Sequence, residues 1–255
     1  DQVNLSGSTY VAWNWKANGS GSTNTSGSIT STVSANTTSG FSVVTYTGTG
    51  ANATVGHGLG VAPSIIFFKN RSAVTNWVVY NINATSAAAS ARPMYLNTAN
   101  GEIANGAMFN YPSTNSSTIF NIGTDSTTNG SGNLMVAYCF TPIAGYFATN
   151  IFTGNGSADG PFVYCGFRPA YVLIKDTTNN GDWFVWDTAR DTYNVSQYTL
   201  LPNSSAAETS GSANYIDILS NGFKVKATTA GFNGSTDKFL FMAFASAPFK
   251  FSLAR

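Results

Sequence analysis

The chain carries one pattern twice, in register and without a gap. Phe41, Thr47, Gly48, Gly50, Gly60, Pro63, Lys69, Trp77 and Val79 recur as Phe147, Thr153, Gly154, Gly156, Gly166, Pro169, Lys175, Trp183 and Val185, always 106 positions on. Ala137 and Pro142 match Ala243 and Pro248 at the same offset. Such a period is far longer than the roughly 20–50 residues of a solenoid unit and suits a whole small domain. The expectation is two sister domains, 40–144 and 145–255, each able to bury its own core. The recurring residues are scaffold types rather than reactive ones, so the duplication points to shape before chemistry.

Short apolar runs punctuated by glycine and proline make both halves β. Phe41–Tyr46 is β-branched and aromatic and is broken by Thr47-Gly48-Thr49-Gly50. Ser64–Phe68 and Ala170–Ile174 follow a proline and do not alternate, which predicts strands covered on both faces. Trp77–Tyr80 and Trp183–Trp186 then complete a hairpin in each half, and Asn221-Gly222 is a turn signal leading into Phe223–Lys226. Helical turns are expected only at Ala84–Ala91 and Thr188–Tyr193. The fold class predicted is all-β, two tandem antiparallel β-sandwich domains of jelly-roll-like form.

Two further segments precede the repeat. Residues 17–39 are rich in Gly, Ser and Thr and read as a linker with little apolar surface to bury. Within residues 1–16, Tyr10-Val11-Ala12-Trp13-Asn14-Trp15 resembles the closing strands Leu134–Phe140 and Phe241–Phe244. It reads as an N-terminal strand, either the remnant of a preceding repeat or a strand exchanged with another domain or subunit. Tyr10, Val11, Trp13 and Trp15 are therefore candidates for an interface strand.

Only 9% of the residues are charged, against about 25% in an average soluble domain. Net charge is +1 with scattered basic residues, which leaves no footprint for a nucleic-acid backbone. No apolar run approaches the roughly 20 residues of a membrane-crossing helix, so membrane insertion is not expected. A low-charge surface of Ser, Thr, Asn and Gly is associated with secreted and virion proteins built into larger bodies. Cys139 and Cys165 do not occupy equivalent places in the two halves, their offset partners being Ala245 and Leu59. Two buried free thiols are expected rather than a disulfide framework.

Three stretches carry a family resemblance: Gly40–Gly50, then Val55-Gly56-His57-Gly58-Leu59-Gly60-Val61-Ala62-Pro63, then Lys69-Asn70-Arg71. They resemble an uncharacterised domain of predicted virion and tail-fibre proteins of marine bacteriophages. The ending Phe241–Phe249 is similar to that family's closing motif, and Tyr10–Lys16 to the same motif at the junction before a repeat. The second half departs from the pattern, with Phe162-Val163-Tyr164-Cys165-Gly166 in place of the histidine-bearing stretch. The resemblance implies a structural role in a phage particle and no catalytic residues.

Candidate chemistry is thin. His57 is the one histidine and sits between Gly56 and Gly58, with Val163 as its offset partner; it reads as a turn residue rather than a base or ligand. Asp182, Asp187 and Asp191 cluster near Arg190, where they could ligate calcium but read as turn caps that pair with the arginine. No metal, cofactor or catalytic residue is assigned. Among the aromatic residues, Trp77 and Trp183 read as core anchors. Tyr80 and Trp186, on the opposite strand face, are open to core, subunit-interface or glycan-contact roles.

Function is accordingly expected to be a non-enzymatic structural component of a virion: tail, tail fibre or capsid-surface protein. Its partners would be its own copies, a trimer being favoured, and other virion proteins, with a host-surface glycan as a further candidate. The alternative is a lectin-like module that binds a host glycan through exposed aromatic residues. A glycan depolymerase ranks below both, because the acids are sparse and unmatched between halves.

Overall fold

Every strand in the interior presents apolar side chains to both sides, and the architecture follows from what covers each side. The computed structural model describes residues 5–84, 92–210 and 215–246. In the first half, Ser22–Asn24 (β1), Ser31–Asn36 (β2), Phe41–Thr47 (β3), Ala53–Gly56 (β4), Ile65–Asn70 (β5), Val78–Asn81 (β6), Met94–Tyr95 (β7), Ile119–Ile122 (β8) and Leu134–Phe140 (β9) are strands. Seven of them form one antiparallel sheet in the order β1-β2-β3-β9-β5-β6-β7, while β4 and β8 pair separately. In the second half the strands are Phe147–Thr153 (β10), Phe162–Tyr164 (β11), Pro169–Asp176 (β12), Trp183–Asp187 (β13), Ile216–Leu219 (β14), Gly222–Val225 (β15) and Lys238–Ala245 (β16). They form a sheet ordered β10-β16-β12-β13 and a smaller one ordered β11-β15-β14.

Side-chain alternation sorts these sheets into layers. On β3, Val44 and Tyr46 pack with Ile66 and Phe68 of β5 against Val55 of β4 and Phe120 of β8. The corresponding outer core of the second half joins Val172, Ile174, Trp186 and Phe241 to Val163, Ile218 and Phe223 of the small sheet. The alternate residues, Phe41, Ile65, Val79, Met94 and Phe140, pack against Phe147, Leu173, Trp183, Val185, Met242 and Phe244. The two large sheets therefore lie face to face with one core between them, and each carries a small sheet on its outer face. Burial of each such large side chain contributes about 1.5–3 kcal/mol, so this shared core is a major part of the stability.

The sequence-based expectation differs from this in several places. The chain is mostly antiparallel β-sheet, as expected, and none of the described sheets closes into a barrel. The second apolar face of each large sheet is covered by the other half rather than by another subunit. Segment 17–39 holds β1 and β2, so it is part of the sheet rather than a linker. Its Ser/Thr-rich strands need only main-chain pairing plus a few anchors, Val33 in β2 and Ile29 beside Val55. Tyr10–Trp15 forms no strand and has no ladder partner among the described residues. Thr188–Arg190 is a turn. The helical turns lie instead at Ser126–Asn129 (α1) and Ala230–Asn233 (α2). Of the stretch Ala84–Ala91, residues 85–91 lie outside the described residues, as do Ala247, Pro248 and Phe249.

The two halves repeat contacts as well as residues. Trp77 N–H donates to Asn97 Oδ1 and Trp183 N–H to Asn203 Oδ1, both at 2.8 Å. Lys69 and Lys175 each lie 5.9 Å from the ring of Trp77 and Trp183 respectively. Asn129 and Asn233, closing α1 and α2, donate through Nδ2 to Gly123 and Ala227 and accept at Oδ1 from Thr49 and Asn155. These helix-end positions lie 104 rather than 106 residues apart, so the gapless repeat expected from the sequence does not hold here.

Candidate functional site

Where the two central sheets meet, the aromatic side chains of the shared core do not close completely. They leave an open cavity of about 440 Å³ lined by Trp13, Trp15, Trp77, Tyr138, Tyr171 and Phe244, among others. Trp77 and Tyr138 are stacked at 6.2 Å with an interplanar angle of 23°. Trp15 meets Phe140, Tyr171 and Phe244 edge-on at 5.3–5.9 Å. The lining is almost wholly apolar, so the groove offers dispersion and ring stacking and little hydrogen bonding.

The N-terminal segment forms one wall of this groove. Trp13 packs edge-on against Tyr171 at 5.4 Å, and its Nε1–H donates to Asp187 Oδ2 at 3.2 Å. Arg190 lies 5.8 Å over the Trp13 ring while pairing with Asp187 and Glu208. A cation above an indole whose N–H is held by the same carboxylate fixes the ring in two directions. Trp13 and Trp15 are thus half-buried wall residues, Val11 is half-buried, and Tyr10 is exposed, its hydroxyl accepting from Leu5 N–H.

The other residues singled out from sequence are placed elsewhere. Tyr80 is 4% exposed and Trp186 0%, both in the outer cores. They have no surface to offer a glycan or a second subunit, because the face opposite Trp77 and Trp183 is the one the small sheets cover. Trp183 is a core anchor at 0% exposure. Trp77 is only half-buried and faces the groove, so its expected role as a core residue is corrected to that of a lining residue. Nothing in the spacing of aromatic residues distinguishes the two tryptophans.

Titratable groups are committed to structure. Leu59 N–H donates to His57 Nδ1 at 3.2 Å, which places the proton on Nε2, 3.2 Å from the Ser116 carbonyl oxygen. Burial holds this imidazole below its ordinary range, partly offset by the Ser116 carbonyl. Asp187 accepts from Ala189 and Arg190 N–H, Asp191 from Gln197 and Tyr198 N–H, and Asp182 from Asn203. Asp187 caps the turn that follows β13, whereas Asp191 is held by main chain six and seven residues on and Asp182 by the Asn203 side chain. Among the described residues no group of three or more His, Cys, Asp or Glu converges as a metal site would.

Lys175 is fully buried and donates to the carbonyls of Ala99, Asp176 and Gly181 at 2.8–3.2 Å. Burial pulls its ammonium down to about 8 against the pull of Asp176 and Asp182. Because Ala99 belongs to the first half, this lysine is a tie between halves. Main-chain bonds Gly181 N–H to Ala99 and Glu102 N–H to Thr177 run alongside it. Cys139 and Cys165 are free, buried in separate cores, and burial pushes both thiols up to about 12. Neither is a thiolate nucleophile near neutral pH.

The chain belongs to the family described as a domain of unknown function (DUF7483), whose model matches residues 1–248. That single match takes in the N-terminal segment and both halves together. No curated protein and no solved structure matches the chain.

Proposed function

We propose that this member of the DUF7483 family is a non-enzymatic structural protein of a bacteriophage particle: a tail, tail-fibre or capsid-surface component. It works by assembling with further copies of itself and with other virion proteins. In this reading the two halves are β-sandwich units descended from one duplicated domain and fused through their inner faces. The observation that carries the proposal is where the recurring residues sit. Gly48 and Gly154, Asn129 and Asn233, Lys69 and Lys175 hold backbone geometry in equivalent places, while the histidine and the clustered aspartates are taken up by hydrogen bonds to neighbouring groups. Selection that keeps such residues keeps a shape. Support for the phage setting is the resemblance of Gly40–Gly50 and Val55–Pro63 to virion proteins, together with the low-charge surface.

Size-exclusion chromatography with light scattering tests the assembly. The expected mass is a multiple of the 26.8 kDa chain at micromolar concentration, and a strictly monomeric protein contradicts it. Mass spectrometry of purified particles tests the setting, the protein being expected among the virion components.

A second reading, glycan binding at a host surface, is favoured by one observation: Trp77 and Tyr138 present a stacked aromatic wall in an open groove. Sugar rings stack on such faces. A glycan array separates the readings, since binding abolished by Trp77→Ala supports recognition and an empty array leaves assembly alone.

A further inference from the structure

The large sheets of the two halves correspond strand for strand: β3, β9, β5 and β6 in the first, β10, β16, β12 and β13 in the second. Even the short β7 pairing has a counterpart, because Val185 bridges Leu200 where Val79 pairs with Met94. The match fails at one edge. In the first half β3 is paired along Phe41–Thr45 by β2, from Thr32 to Asn36. In the second half β10 is the end strand, and among the described residues nothing pairs beyond it except Ile143 at Phe147.

Antiparallel alternation turns the N–H and C=O of every second β10 residue away from β16. Phe147 exchanges both groups with Ile143 on that side, which places Thr149, Ile151 and Thr153 in the same outward set. Asn150 folds its own Oδ1 back onto Ile151 N–H at 2.8 Å, a makeshift partner for one outward donor. Val44 is wholly buried beside β2, whereas its counterpart Asn150 is exposed. Phe147–Thr153 is seven residues long and holds no charge and no proline. It thus lacks the lysines and prolines that ordinarily blunt such an edge.

We propose that the β10 edge is a subunit contact, pairing antiparallel with β10 of a second copy about a two-fold axis at Asn150. An uncharged edge meets its own copy without like-charge repulsion, and an isologous contact needs only one self-complementary surface. In this register Thr149 and Ile151 exchange main-chain bonds with Ile151 and Thr149 of the second copy, and the two Asn150 amides face each other. The first half shows this mode of strand addition within the chain, where β2 completes β3. The contact rests on the assembly reading and names its surface. A two-fold contact builds dimers, so the trimer expected from sequence would need another face.

The test uses Asn150→Lys and Asn150→Glu, both at an exposed position. Wild type is expected near twice 26.8 kDa by light scattering, each variant alone near one chain, and an equimolar mixture of the two near two chains again. Hydrogen exchange at the Thr149 and Ile151 amides is expected to slow as wild-type concentration rises. Wild-type oligomers that persist unchanged in both single variants overturn this contact and leave the assembly reading standing. A wild type that stays monomeric up to about 100 μM, ten or more times the concentration at which a micromolar contact forms, overturns both. A mixture that fails to reassociate overturns the two-fold pairing at Asn150.

Discussion

The indole Nε1–H of Trp183 donates to the main-chain carbonyl of Tyr95 at 2.9 Å, so a fully buried ring of the second half is held by a strand of the first. The relationship makes the halves interdependent. Trp183→Phe keeps most of the packing but leaves that carbonyl without its donor, at a cost of about 1–3 kcal/mol. The expected outcome is a lower denaturant midpoint for the whole chain, with hydrogen exchange accelerated in β6 and β7 as well as in β13. Destabilisation confined to β13 and its neighbours would contradict it.

Gly48 and Gly154 explain why a glycine recurs at the end of β3 and of β10. A Cβ on Gly48 would stand 2.3 Å from the carbonyl oxygen of Gly130, and on Gly154 2.2 Å from that of Gly234. Backbone has to shift in either case. Gly48→Ala and Gly154→Ala are expected to destabilise by similar amounts, about 2 kcal/mol or more each, in chemical unfolding. A neutral effect at either position would break the equivalence.

How much of this was legible in the sequence depends on what each signal encodes. The repeated glycines, lysines and tryptophans predicted repeated contacts, and Asp187 with Arg190 predicted a capped and paired turn. Apolarity on both faces of β5 and β12 was legible too, but a strand does not encode what lies on its second face. The other half of the chain covers it here. Composition misled at 17–39, because polar residues make good strands when Val33 and Ile29 supply the anchors. Similarity misled at Tyr10–Trp15, whose tryptophans repeat the look of a closing strand yet act as a wall beside Tyr171. The groove at Trp77 left no signal, since its lining comes from strands and segments far apart in sequence rather than from any local pattern.

His57 gives the protein an acid limb. Its folded imidazole titrates below the ordinary 6.5, so the unfolded chain takes up the proton first. Its contribution is complete above about pH 6.5 and is lost as pH falls through the lower folded value. His57→Gln is expected to be less stable at pH 7.5 and to flatten the fall in stability below about pH 6.5. A variant that retains the wild-type slope would assign the limb to other groups.

The thiols set the alkaline side. Cys139 and Cys165 titrate at about 12 when folded, against 9.0 for an ordinary thiol. Their contribution is present below pH 9 and is lost as pH rises towards 12. At pH 8 neither is expected to react with a thiol reagent within hours in the native protein, and both should react at once in denaturant. Rapid labelling of either in the native state would contradict its burial.

Differential scanning calorimetry tests the shared core most directly. If Phe41, Phe140, Trp183 and Phe244 belong to one interior, neither half can melt without exposing the other. The expected record is a single transition with equal calorimetric and van't Hoff enthalpies, near 0.7 kcal/mol per residue at about 60 °C. Two resolved transitions, or a calorimetric enthalpy about twice the van't Hoff value, would show two independent domains and contradict it.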